Sequence, residues 1–193
     1  MSPDPALRRA VAVVALANLG YFGVEFGVAR AIGSVSLFAD SIDFLEDASV
    51  NLLILVALGW PARWRARLGM VLAAILLAPG IATLWTAFEK LAAPAPPEPT
   101  LLSATGAGAL AVNLGCALLL ARFRHHRGSL TKAAFLSARN DALANMAIIA
   151  AGAVTGYTTS AWPDLIVGLG IAAMNADAAR EVFTAARRER PAT

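Results

Sequence analysis

Six apolar blocks, each about as long as a helix that crosses a bilayer, follow one another through 193 residues with only short links between them. At 1.5 Å per residue, about 20 residues cross roughly 30 Å of hydrocarbon. The blocks run approximately from Arg8 to Arg30, Ser36 to Trp60, Arg67 to Lys90, Leu101 to Ala121, Thr131 to Thr155 and Trp162 to Phe183. They predict an all-α fold, a polytopic six-helix transmembrane bundle in which residues 1–186 form one membrane domain. Links this short make sequential helices antiparallel neighbours. Composition agrees: 58% of residues are apolar, 15% are charged, and the mean hydropathy of +0.64 lies outside the ordinary soluble range.

The basic residues set the orientation. Arg8 and Arg9 precede block 1; Arg63, Arg65 and Arg67 separate blocks 2 and 3; Arg122, Arg124, Arg127 and Lys132 separate blocks 4 and 5; Arg187, Arg188 and Arg190 follow block 6. The opposite side holds only Arg30 and Lys90. The positive-inside rule therefore predicts that both termini are cytoplasmic, in a plasma membrane or bacterial inner membrane. Block 1 reads as a spanning helix and not as a cleaved signal peptide. The net charge of +3 resides in these topology signals, so the expected partner is the lipid bilayer and not nucleic acid. Asn175, Asp177 and Arg180 interrupt block 6, whose far end is expected to emerge as an amphipathic extension. Residues 187–193 are a basic tail, and no soluble C-terminal domain is expected. One cysteine, Cys116, excludes an intramolecular disulfide and a Cys-rich metal site. His125 and His126 lie in the basic link between blocks 4 and 5, so no intramembrane imidazole ligand is expected.

Charges within a membrane span are costly and mark functional sites. Block 2, SLFADSIDFLEDASVNLLILVALGW, carries Asp40, Asp43, Glu46 and Asp47. At 100 degrees per residue the three aspartates fall within about a 60-degree arc, with Glu46 turned about 120 degrees from Asp40. Block 5 contains FLSARNDALAN, in which Ser137, Asp141 and Asn145 step by four along one face, with Asn140 beside them. Like charges so close need a compensating partner, and a divalent cation is the simplest one. The expected ligands are Asp43, Asp47 and Asp141, with Asp40, Ser137, Asn140 and Asn145 as auxiliaries. A structural role for the three acids, or protonation without metal, stands against this reading. Glu25 is expected to line an aqueous cavity or to pair with Arg30 or Arg139, and Glu46 to pair with Arg139. Asn18, Asn51 and Asn113 are expected to make interhelical hydrogen bonds.

Several motifs in order carry a resemblance: NLGYFGVE at 18–25, GSVSLFADSIDFLED at 33–47, WTAFEKLAAP at 85–94 and WPDLIVGLGIA at 162–172. Together they resemble the cation diffusion facilitators, which export zinc, manganese, iron, cobalt or cadmium, usually by exchange with protons. The resemblance implies a His or Asp followed four residues later by Asp on helix 2, and the same spacing on helix 5. Asp43 and Asp47 match the first pair, and Asp141 matches the last position of the second. Ser137 departs from it, standing where His or Asp is usual, and an all-oxygen shell favours harder ions such as manganese or magnesium. The resemblance also implies a homodimer, here through membrane helices. It implies a transporter and no enzyme, with no permanently bound cofactor and the metal as cargo. A transport-inactive relative serving as metal sensor or partner subunit is the alternative that Ser137 raises. An intramembrane aspartic protease fits poorly, because two of the paired acids share one helix.

Overall fold

The computed structural model describes residues 5–57, 81–122 and 128–188, apart from the side chains at 53, 54, 56, 57, 128–139 and 176–188. All regular structure among them is helical: α1 (Pro5–Ile32), α2 (Val35–Ala57), α3 (residues 81–92), α4 (Pro99–Ala121), α5 (Gly128–Thr158) and α6 (Trp162–Arg188). Two of these, α1 and α4, are long and apolar enough throughout to cross a membrane by length and composition. Several helices outrun their apolar blocks. α1 starts at Pro5 instead of Arg8, α5 runs from Gly128 to Thr158 instead of 131–155, and α6 continues to Arg188 past the expected end at 183. Hydropathy marks the part of a helix that lies in hydrocarbon; backbone hydrogen bonding continues into the polar turns beyond it. The expected end of block 2 at Trp60 and the first part of block 3, from Arg67, lie outside the described residues.

The turns have local causes. Gly33, at φ +65, ends α1 in the left-handed conformation that only glycine adopts freely, and Ser34 N–H returns to Ala29 C=O at 3.0 Å to close the turn. Ser34 Oγ then caps α2 by accepting from Leu37 N at 3.1 Å. α4 opens with Pro99 just after the cap Glu98, whose carboxylate accepts from Thr100 N at 3.0 Å and Leu101 N at 2.5 Å. α5 stops where Thr159 turns to φ 50, with its N–H on Thr155 C=O at 2.8 Å.

Five of the helices close into a ring. α1 packs on α2 and α4, α4 on α5, and α6 on both α5 and α2, while α2 and α5 face each other across the interior over a narrow contact. The broadest interfaces are α1 with α2 and α4 with α5. Phe26 and Phe38 meet edge to face at 5.2 Å in the first, and Gly106 in the second leaves room for Ile148, whose Cγ2 would lie 2.8 Å from an added Cβ. Gly168 on α6 lets the start of α2 approach so closely that an added Cβ would lie 2.6 Å from Ser36 N. α3 joins the outside of the ring where Ala87 packs with Val35 and Leu165.

A core of Ala29, Leu37, Phe38, Leu102, Ile148 and Ile171 draws one or more residues from each ring helix. These residues lie toward the end that bears the α1–α2, α3–α4 and α5–α6 turns, and they seal it. Large apolar side chains such as Leu16, Leu84, Phe88, Leu118 and Ile166 point outward, each more than 60% exposed. In water this would be an unstable surface, whereas against lipid it is the expected one.

Candidate metal centre

The sealed end has its own polar anchor, built around Asp164 in the first turn of α6. Its Oδ1 accepts from Ser34 Oγ at 2.7 Å, Ser36 N at 3.1 Å and Ser36 Oγ at 2.6 Å; its Oδ2 accepts from Val35 N at 2.9 Å and Lys90 Nζ at 2.8 Å. Lys90 also donates to Gly33 C=O at 2.5 Å. Orphan N–H groups at the start of α2 are thus satisfied by a carboxylate from another helix, an arrangement the helix dipole favours. Lys90 and Asp164 are 6% and 0% exposed, a buried ion pair tying α3 to α6. Sequence reading missed this anchor. Its only local signals are a Gly-Ser pair at 33–34 and an Asp at the third position of α6.

Further into the ring, one hydrogen bond sets the register of α5 against α2. Asn145 Nδ2 donates to Asp40 Oδ2 at 2.7 Å, with both residues buried. α2 runs away from the sealed end and α5 toward it, so four residues back along α5 match four residues forward along α2. Asp141 therefore stands level with the stretch between Asp43 and Asp47. Asp43, Asp47 and Asp141 are each half-buried. Among the described residues no three Asp, Glu, His or Cys side chains converge closely enough to hold a metal ion together. The acids stand at similar levels on α2 and α5 without forming a closed cage.

The auxiliary residues divide. Asp40 is 1% exposed; its Oδ2 is engaged by Asn145, and its Oδ1 meets no donor. Asn145 is engaged at both ends, since its Oδ1 accepts from Asn113 Nδ2 at 3.2 Å. Asn140 is exposed. The side chain of Ser137 lies outside the described residues, as do Arg139, His125 and His126.

Two expectations are answered in part. Glu25 is fully buried, neither of its oxygens meets a donor, and it does not pair with Arg30, which is exposed; its other expected partner, Arg139, lies outside the described side chains. The cause is position: α1 turns Glu25 inward toward α2 and Arg30 outward. Asn51 donates to Asp47 C=O in its own helix at 2.8 Å, so it makes no interhelical bond there. Asn18 and Asn113 do meet other helices, through Cys116 Sγ at 3.9 Å and Asn145 respectively, and Asn175 reaches Ala39 C=O at 3.2 Å.

What the interior offers is a row of carboxylate and amide oxygens on facing helices, a donor set for a hard cation. Comparison with curated proteins gives no significant match. Residues 11–189 match the family model of the cation efflux transmembrane domain, and the chain accordingly belongs to the cation efflux family of membrane transport proteins.

Proposed function

We propose that the chain exports a divalent metal cation in exchange for protons, with Asp43, Asp47 and Asp141 as the cargo ligands between α2 and α5. The observation that carries this is the α2–α5 register: the bond from Asn145 to Asp40 brings Asp141 level with Asp43 and Asp47 across a narrow interface. Two negative helices facing each other repel across that gap, and a cation reverses the sign of the interaction. Cargo binding would draw α5 toward α2 and complete a shell that the separated acids leave open. With both termini cytoplasmic, as the distribution of arginines favours, the sealed end is external and the acids are approached from the cytoplasm. Opening of that external end would admit protons, which compete for the carboxylates and release the metal. The all-oxygen ligand set favours manganese- or magnesium-like ions over zinc. A plasma or bacterial inner membrane and a homodimer through membrane helices complete this reading, which includes no covalent catalysis.

The test is flux of a divalent-metal panel into liposomes under a proton gradient. Asp47→Asn and Asp141→Asn are each expected to abolish it, because each removes one charge from a shell of three. Ser137→His is expected to raise zinc transport relative to manganese. Ser137 also favours a second reading, a transport-inactive sensor or partner subunit. Absence of flux for every metal, with the protein folded, would establish that reading over the first.

A further inference from the structure

A second pair of carboxylates lies in α1 and α2, outside the cargo ligands. Glu25 is fully buried and Asp40 is 1% exposed. The docking of α1 on α2, with Tyr21 against Phe44 at 5.0 Å and Phe26 against Phe38 at 5.2 Å, sets the two residues opposite each other. Neither oxygen of Glu25 meets a donor, and nor does Asp40 Oδ1. The other oxygen of Asp40 is fixed by Asn145, which is fixed in turn by Asn113, so the carboxyl of Asp40 is held in place with Oδ1 left without a donor. Three buried carboxylate oxygens on the docked faces of α1 and α2 are thus left without a partner. The one ion pair among the described residues, Lys90 with Asp164, lies elsewhere.

Charge and donor type decide what fits. Two buried carboxylates on docked helices carry a heavy desolvation cost unless protons or a positive charge compensate them. A monovalent cation leaves one negative charge over, whereas a divalent cation brings the pair to neutrality. The donors are all oxygen, and Glu25 has both of its oxygens available for a bidentate bond, which suits a hard ion. We infer that Glu25 and Asp40 form a second binding site for a hard divalent cation, of the manganese or magnesium type, about one helical turn nearer the sealed end than Asp43, Asp47 and Asp141. Its role as the station through which cargo leaves rests on the export reading above; its capacity to bind does not. Two adjacent sites of like occupancy repel, which favours stepwise release over trapping.

The full chain, purified in detergent, is titrated with manganese(II) chloride while the electron paramagnetic resonance signal of free manganese reports binding. Two ions per chain are expected. Glu25→Gln should halve the bound manganese, Asp47→Asn should also halve it, and the double variant should bind none. Manganese binding that Glu25→Gln leaves unchanged, whether one ion per chain or two, overturns the second site. If Glu25→Gln loses one ion while Asp47→Asn keeps both, the second site stands and the cargo site at Asp47 falls. Glu25→Gln conserves shape and removes a buried charge, so its thermal midpoint should not drop.

Discussion

Asp164 shows how one carboxylate can organise three helices. It is fully buried, and its oxygens take donors from the α1–α2 turn, from the first residues of α2 and from Lys90 at the end of α3. Breaking a buried ion pair by removing one partner leaves an uncompensated charge and costs about 3–5 kcal/mol. Lys90→Met is therefore expected to lower the thermal unfolding midpoint in detergent markedly. Adding Asp164→Asn to it should recover part of the loss, because the stranded charge is gone. An unchanged midpoint in the single variant would contradict the buried pair. The same residues mark a limit of sequence reading. Asp43, Asp47 and Asp141 stood out because charge in an apolar helix is costly and spacing by four puts residues on one face. Lys90 and Asp164 lie at helix ends 74 positions apart, where charge is ordinary, so only the folded chain shows them to be partners. Glu25 was conspicuous for the same reason as the aspartates, but its neighbour Asp40 depends on how α1 and α2 dock.

At the level of the element, the apolar blocks made helix number, class and approximate position legible, while helix ends depended on capping groups that hydropathy does not register. α4 illustrates this. Its block suggests a start at Leu101, yet the helix begins at Pro99 because Glu98 accepts from the N–H groups of Leu101 and Thr100. Those two hydrogen bonds, with the positive end of the helix dipole, hold the Glu98 carboxyl below its ordinary value of 4.5. Because the folded-state value is depressed, the cap contributes fully above the unfolded value and is lost as pH falls through the folded one. Amide exchange at Thr100 and Leu101 should therefore be slow at neutral pH and should lose protection as the medium is acidified from about 4.5 downward. Glu98→Gln should remove this dependence while leaving a weaker, neutral cap. Pairs elsewhere on α4, such as Asn113 with Asn145, should keep their protection throughout, since no carboxylate of the cap reaches them.

In the whole molecule, the ring order locates where opening has to occur. α1 with α2 and α4 with α5 are broad, close-packed hairpins, whereas α2 meets α5 narrowly, at the level of Asp40 and Asn145. Packed interfaces resist continuous deformation, so a bundle of this kind moves by displacing intact units along its weakest contact. The α4–α5 hairpin should thus travel as one body. In a Cys116→Ser background, Gly106→Cys with Ile148→Cys tests this directly. The Cβ built at Gly106 lies 3.3 Å from Ile148 Cβ, close to the separation a disulfide spans, and Ile148→Cys removes the Cγ2 that would otherwise crowd it. Oxidation should cross-link α4 to α5 and leave metal flux in liposomes close to that of the reduced protein. Flux that stops on oxidation and returns with reductant would show instead that α4 and α5 separate during transport. The path past the acids would then open within the α4–α5 hairpin rather than between α5 and α2.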